Sequence, residues 1–107
     1  MISVIFEVEL DPNSGQRYFD LAAGLRDELH GIDGFLSVER FQSMTTENRY
    51  VSLSFWRDRA AVEAWYQRPH HRAAQEEGRA SVFRDYRIRV AEVFRDYDMA
   101  STRSAVG

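Results

Sequence analysis

Residues 2–10 alternate between apolar and polar side chains with a period of two. Ile2, Val4, Phe6, Val8 and Leu10 share one face, and Ser3, Glu7 and Glu9 share the other. That period predicts a strand with one buried face, ended by Asp11, Pro12 and Asn13. The period then changes. Tyr18, Leu21, Ala22, Leu25 and Leu29 recur at helical spacing and predict an amphipathic helix with one buried stripe. Asn13 or Ser14 is placed to cap this helix, with Gln16 completing a capping box from Asn13, and Gly31 is placed to stop it.

A second strand is expected over residues 35–43. The polar segment 44–48 turns the chain into a third strand over residues 49–56. Val51, Leu53 and Phe55 share one face of it, and Tyr50, Ser52, Ser54 and Trp56 share the other. The short connection makes the two strands an antiparallel hairpin. Asp58 can cap a second helix carrying Ala61, Val62, Trp65 and Tyr66 on one side. Pro69 interrupts it and suits the first turn of a new short helix, which runs through Glu77 to a stop at Gly78. The last strand is expected over residues 81–97, too long for an ordinary small sheet.

The order β-α-β-β-α-β gives an α+β, ferredoxin-like arrangement: a four-stranded antiparallel sheet with its helices on one face. The other face must meet water or another protein. The last two strands carry bulky apolar groups in both directions, which predicts face-to-face pairing with a second copy and hence a homodimer. The overlong last strand could then cross onto the partner. One domain over residues 1–97 and a flexible tail over residues 98–107 are expected.

Composition narrows the chemistry. The 107 residues include seven Phe, five Tyr and two Trp, enough aromatic surface to line a pocket or an interface as well as a core. The net charge of −3 and the lack of a basic run argue against nucleic acid as partner. No stretch is long and apolar enough to span a membrane, and the N-terminal residues read as a strand, so a cytoplasmic location is expected. There is no Cys, which removes thiolate chemistry and cysteine metal sites. All basic residues other than His are Arg, which removes Schiff-base chemistry.

Three features resemble a known family. Gly34-Phe35-Leu36 opens the second strand. Ser54-Phe55-Trp56-Arg57-Asp58 closes the third strand and caps a helix that holds Ala64-Trp65. Pro69-His70-His71 starts the next helix, ahead of Tyr86 and the final strand. Order and spacing over residues 2–97 resemble the antibiotic biosynthesis monooxygenase domain family, of the dimeric α+β barrel superfamily. That family includes cofactor-free oxygenases of quinols and anthrones, haem-degrading enzymes and proteins without an assigned activity. The resemblance implies a cofactor-independent monooxygenase acting on a small, electron-rich aromatic molecule. A ligand-binding or stress-associated dimer without catalysis is the alternative, and haem binding is another. The haem-degrading branch is matched less well. It has an Asn on the first strand where this chain has Glu7, and its His falls on Gln75.

Several residues are candidates for a site. His71 is the first choice of general base, with His70 and Glu7 behind it. Trp65, Tyr66, Phe6 and Trp56 are candidates for a flat aromatic pocket between helices and sheet, against the alternative that they are ordinary core. His70 and His71 are adjacent on a helix, about 100° apart around its axis, so at most one faces a pocket and they cannot easily share a metal. No metal site is expected.

Overall fold

The alternating start of the chain forms β1 (Ile2–Leu10), and the helical stripe after it forms α1 (Gly15–His30). The hairpin β2 (Phe35–Gln42) and β3 (Arg49–Trp56) follows, then α2 (Arg59–Tyr66) and α3 (Pro69–Glu77). A five-residue π-helical turn, Gly78–Val82, leads into β4 (Phe83–Glu92). This computed structural model describes residues 1–101. The four strands form one antiparallel sheet in the order β2-β3-β1-β4, the ferredoxin-like arrangement.

Local chemistry sets the element ends. The Asp58 carboxylate accepts from the Ala61 N–H at 3.0 Å and caps α2. Arg68 is extended and Pro69 opens α3, as a proline requires of the residue before it. The start of α1 differs from the expected capping box. Ser14 makes no side-chain cap, and Gln16 turns to Asp20 instead. Asp11 organises the turn: its carboxylate accepts from the Asn13 N–H and its carbonyl from the Ser14 N–H, each at 2.9 Å.

The last strand is shorter at both ends than the expected span of residues 81–97. Ile2 pairs with Glu92, and the Val93 N–H donates to the Met1 carbonyl at 2.9 Å. At the other end α3 stops at Glu77 with Gly78 as its C-cap, as expected, but the strand does not begin there. Gly78 has right-handed helical angles and opens the π-helical turn that delays β4 to Phe83. A Cβ on Gly78 would lie 2.3 Å from the Phe83 ring, so glycine lets that ring pack over the backbone. Of the tail expected over residues 98–107, residues 102–107 lie outside the described residues. Asp98 accepts from the Ser101 N–H at 2.8 Å at the start of a helical segment.

The helices cover the face of the sheet that carries the β1 stripe. Beneath them the core divides into two clusters. One gathers Ile2, Ile32, Trp56, Ala61, Val62 and Trp65; the other gathers Val8, Leu10, Tyr18 and Val82.

Candidate functional site

The space between those two clusters is a cavity of about 760 Å³. Its origin lies in β3. Tyr50 and Trp56 are large, but between them the helix-facing positions are Ser52 and Ser54. Two small side chains leave the floor low where α1 passes over it. Leu21, Ala22, Leu25 and Leu29 of α1 form the roof, and Val4 and Phe6 of β1 the apolar floor beside the serines. The Trp56 indole N–H donates to Ser54 Oγ at 2.9 Å, which fixes the plane of that ring.

His71 stands in the wall. It is 9% exposed, its ring centroid is 4.6 Å from that of Trp65 and 5.4 Å from that of Tyr66. Its Nδ1 is buried with no hydrogen-bond partner. Burial pushes its pKa down to about 4, only weakly opposed by the Tyr66 carbonyl and the Glu28 carboxylate. The ring is therefore neutral near pH 7. Burial also raises the pKa of Tyr66 and, against the pull of Arg40, that of Tyr18.

The other two candidate bases lie outside the cavity. His70 is turned away by the helical rotation from its neighbour; its side chain is 78% exposed and its Nδ1 lies 3.1 Å from Glu28 Oε1. Glu7 points to the opposite face of the sheet, as alternation in β1 dictates. There Arg49 and Arg89 donate to its two carboxylate oxygens at 3.0 and 2.8 Å. Neither residue lines the cavity. Trp65, Tyr66, Phe6 and Trp56 all line it, and the Trp56 and Trp65 rings lie 6.2 Å apart. Gln75 lines it too, one turn beyond His71.

Arg40 is a residue of this site that sequence reasoning passed over. It lies two residues beyond Val38 on β2, and its register partner is Ser52, so it shares the cavity face. A register shift between Phe35 and Ser37 hides it, because alternation counted from the core residue Phe35 would place Arg40 on the opposite face. Among the described residues no group of three His, Cys, Asp or Glu side chains is placed to hold a metal ion. No helix among them is long and apolar enough to cross a membrane.

Comparison with known proteins agrees with this architecture. The chain is 41% identical over 93 residues to a jasmonate monooxygenase of Pyricularia oryzae, covering 87% of this chain and 43% of that protein. It is 36% identical over 62 residues to an uncharacterised protein of Bacillus subtilis, covering 58% of this chain and 53% of that one. The chain thus spans about half the length of these curated relatives. A candidate antibiotic biosynthesis monooxygenase from Deinococcus radiodurans superposes with a TM-score of 0.82 at 12% identity, over 92% of this chain and 98% of that one. A Mycobacterium tuberculosis protein superposes with a TM-score of 0.81 at 16% identity, over 91% and 98%. These two likenesses concern the fold. The profile of the antibiotic biosynthesis monooxygenase family matches residues 1–77, and with the 41% identical relative it establishes that this chain belongs to that family.

Proposed function

We propose that the cavity binds a small, electron-rich organic molecule and that the domain catalyses its monooxygenation by dioxygen without a bound metal or cofactor. The observation that carries this reading is His71, a neutral imidazole held by aromatic rings in the wall of a largely apolar cavity. A quinol- or anthrone-like aromatic suits the flat surfaces of Trp56 and Trp65. For an anthrone-like CH₂ centre the balance closes with dioxygen alone. Two C–H bonds and the O–O bond break, one C=O and one water form, and the carbon loses the electrons that oxygen gains.

In this reading His71 accepts the proton. A base whose conjugate acid has a pKa of about 4 does not ionise a phenol in the ground state. The proton moves as an electron passes to oxygen, when the substrate has become far more acidic. The cavity contributes orientation and keeps water from the anion that develops.

Oxygen uptake and product analysis with a panel of anthrones and quinols test the proposal. The Pyricularia oryzae relative is named for jasmonate, so a jasmonate belongs in the same panel. His71→Ala is expected to lower turnover by about a hundredfold or more. Unchanged turnover in that variant would remove His71 from the chemistry. Binding without oxygen uptake would identify the non-catalytic alternative, a ligand-binding dimer.

Haem fits the residues less well. His71 is the buried histidine of the wall, but Glu7 occupies the first-strand position and faces the other side of the sheet. A Soret shift on titrating hemin would favour haem. The reading takes the protein as cytoplasmic, which fractionation of expressing cells checks.

The partner proposed for the open face of the sheet is a second copy of the chain. That face carries Ile5, Val51, Leu53 and Phe55 in a stripe, with Phe41 beside it and the Glu7, Arg49 and Arg89 cluster at its flank. Past β4 the chain presents Phe94, 92% exposed, together with Tyr97 and Met99. An apolar stripe next to charges of both signs is self-complementary, which suits a two-fold interface.

A further inference from the structure

Arg40 is half-buried on β2, and none of the ion pairs among the described residues involves it. Its Nε donates to Tyr18 Oη at 3.2 Å. Its guanidinium carbon lies 5.2 Å from the Tyr18 ring centroid and 5.9 Å from that of Phe19. These contacts hold the group in place, yet they occupy one of its donors. The terminal nitrogens make no hydrogen bond among the described residues. Tyr18 receives the Arg40 bond through its oxygen, so its own proton is free to donate. Burial keeps that phenol protonated. Glu39 also borders the cavity, but its register partner Leu53 places its side chain on the opposite face.

The cavity end at Arg40 therefore offers N–H and O–H donors and lacks an acceptor with negative charge. A half-buried guanidinium is costly without an anion, and the two aromatic faces offset only part of that cost. Its forked donors match the two oxygens of a carboxylate. The geometry points to Arg40 and Tyr18 as a carboxylate-binding end of the cavity, so that the molecule taken up is an apolar body bearing one carboxylate group. This assignment rests on the reading that the cavity is the ligand site, and it adds the chemical class of the ligand.

The register also sets a length. Arg40 pairs with Ser52, and Trp56 lies four residues further along β3, about 13 Å at the usual rise of a strand. A ligand that rests on Trp56 and Trp65 and reaches Arg40 is therefore roughly 10 Å long. A biphenyl carboxylate has that length, and its carboxamide is a neutral match in shape.

Titration of the chain with both probes near neutral pH, followed by quenching of tryptophan fluorescence, tests the assignment. The wild type is expected to bind the carboxylate about tenfold or more tightly than the amide. Arg40→Gln should abolish that preference by weakening the carboxylate alone, with amide affinity held within about twofold. Arg40→Lys should keep part of it, because an ammonium supplies the charge without the fork. Retained amide binding shows at the same time that each variant is folded. Equal affinity of the wild type for the two probes would overturn the carboxylate assignment and leave the cavity reading standing. A Gln variant that weakens both probes equally would do the same. Binding of neither probe would take down the cavity reading and this assignment with it.

Discussion

The His71 ring lies against the Trp65 indole, with centroids 4.6 Å apart and planes inclined by 51°. This contact joins α2 to α3 across the break that Pro69 makes, and it removes the imidazole from water. The lowered pKa follows from that placement, since burial penalises the cation most.

Stability should therefore depend on pH through His71. Its pKa is about 4 in the folded chain and near 6.5 when exposed. Between those values the unfolded state binds more protons, so stability rises with pH. The contribution is complete above about pH 6.5 and is lost as the pH falls toward 4. A shift of this size bounds the effect at about 3 kcal/mol, and access of the ring to the cavity reduces it to about 1–2 kcal/mol. Denaturant midpoints of wild type and His71→Phe, compared across that window, measure the difference. Equal slopes in the two proteins would show that His71 is not the group.

Trp65 is 7% exposed and touches Trp56 as well as His71. Trp65→Ala should cost about 3 kcal/mol, and Trp65→Phe about 1 kcal/mol. The alanine variant also opens the wall behind His71. Its imidazole should then titrate closer to 6.5, which nuclear magnetic resonance of the ring protons reads directly. A loss of stability with an unmoved His71 titration would place the desolvation elsewhere.

Glycines separate close approach from mere helix softness. Gly34 has φ +90°, and a Cβ there would meet the Ala61 Cβ at 2.7 Å. Gly34→Ala should cost about 2–4 kcal/mol through strain and overlap combined. Gly24 sits in α1, where an added methyl would have nothing within 4 Å, so Gly24→Ala should stabilise by about 1 kcal/mol. Thermal unfolding of the two variants side by side checks the opposite signs.

Much of this arrangement is legible in the chain because it depends on neighbours in sequence. The period of β1 specifies which side chains meet the helices, and it already turns Glu7 away from them. Pro69 announces the break between α2 and α3. What depends on distant partners is not legible. The apolar positions after Tyr86 extend to Phe94, yet β4 ends at Glu92, where its pairing with Ile2 of β1 ends. The choice between His70 and His71 needs the rotation of α3 against Trp65. The cavity arises from Ser52 and Ser54 beneath α1, a relation between elements far apart in the chain. Arg40 shows the same limit twice: the register shift between Phe35 and Ser37 that sets its face, and its lack of an acidic partner, are both visible only in three dimensions.

The open face of the sheet leads to the last prediction. Leu53 is central on it, paired with Ile5 on one side and Glu39 on the other. If a second copy covers this face, the Leu53 side chains sit near the two-fold axis, and a new carboxylate there would be buried beside its own symmetry mate. Two like charges in that position oppose association strongly, whereas on a solvated face they do nothing. Sedimentation velocity should show a dimer for the wild type and a monomer for Leu53→Glu. Phe94→Ser with Tyr97→Ser separates the face from the C-terminal arm. If the arm reaches the partner, this double variant weakens the dimer by about tenfold or more, while a dimer held by the sheet face alone keeps its affinity. A monomeric wild type would overturn the proposed partner, because the face would then be exposed to water in the native state.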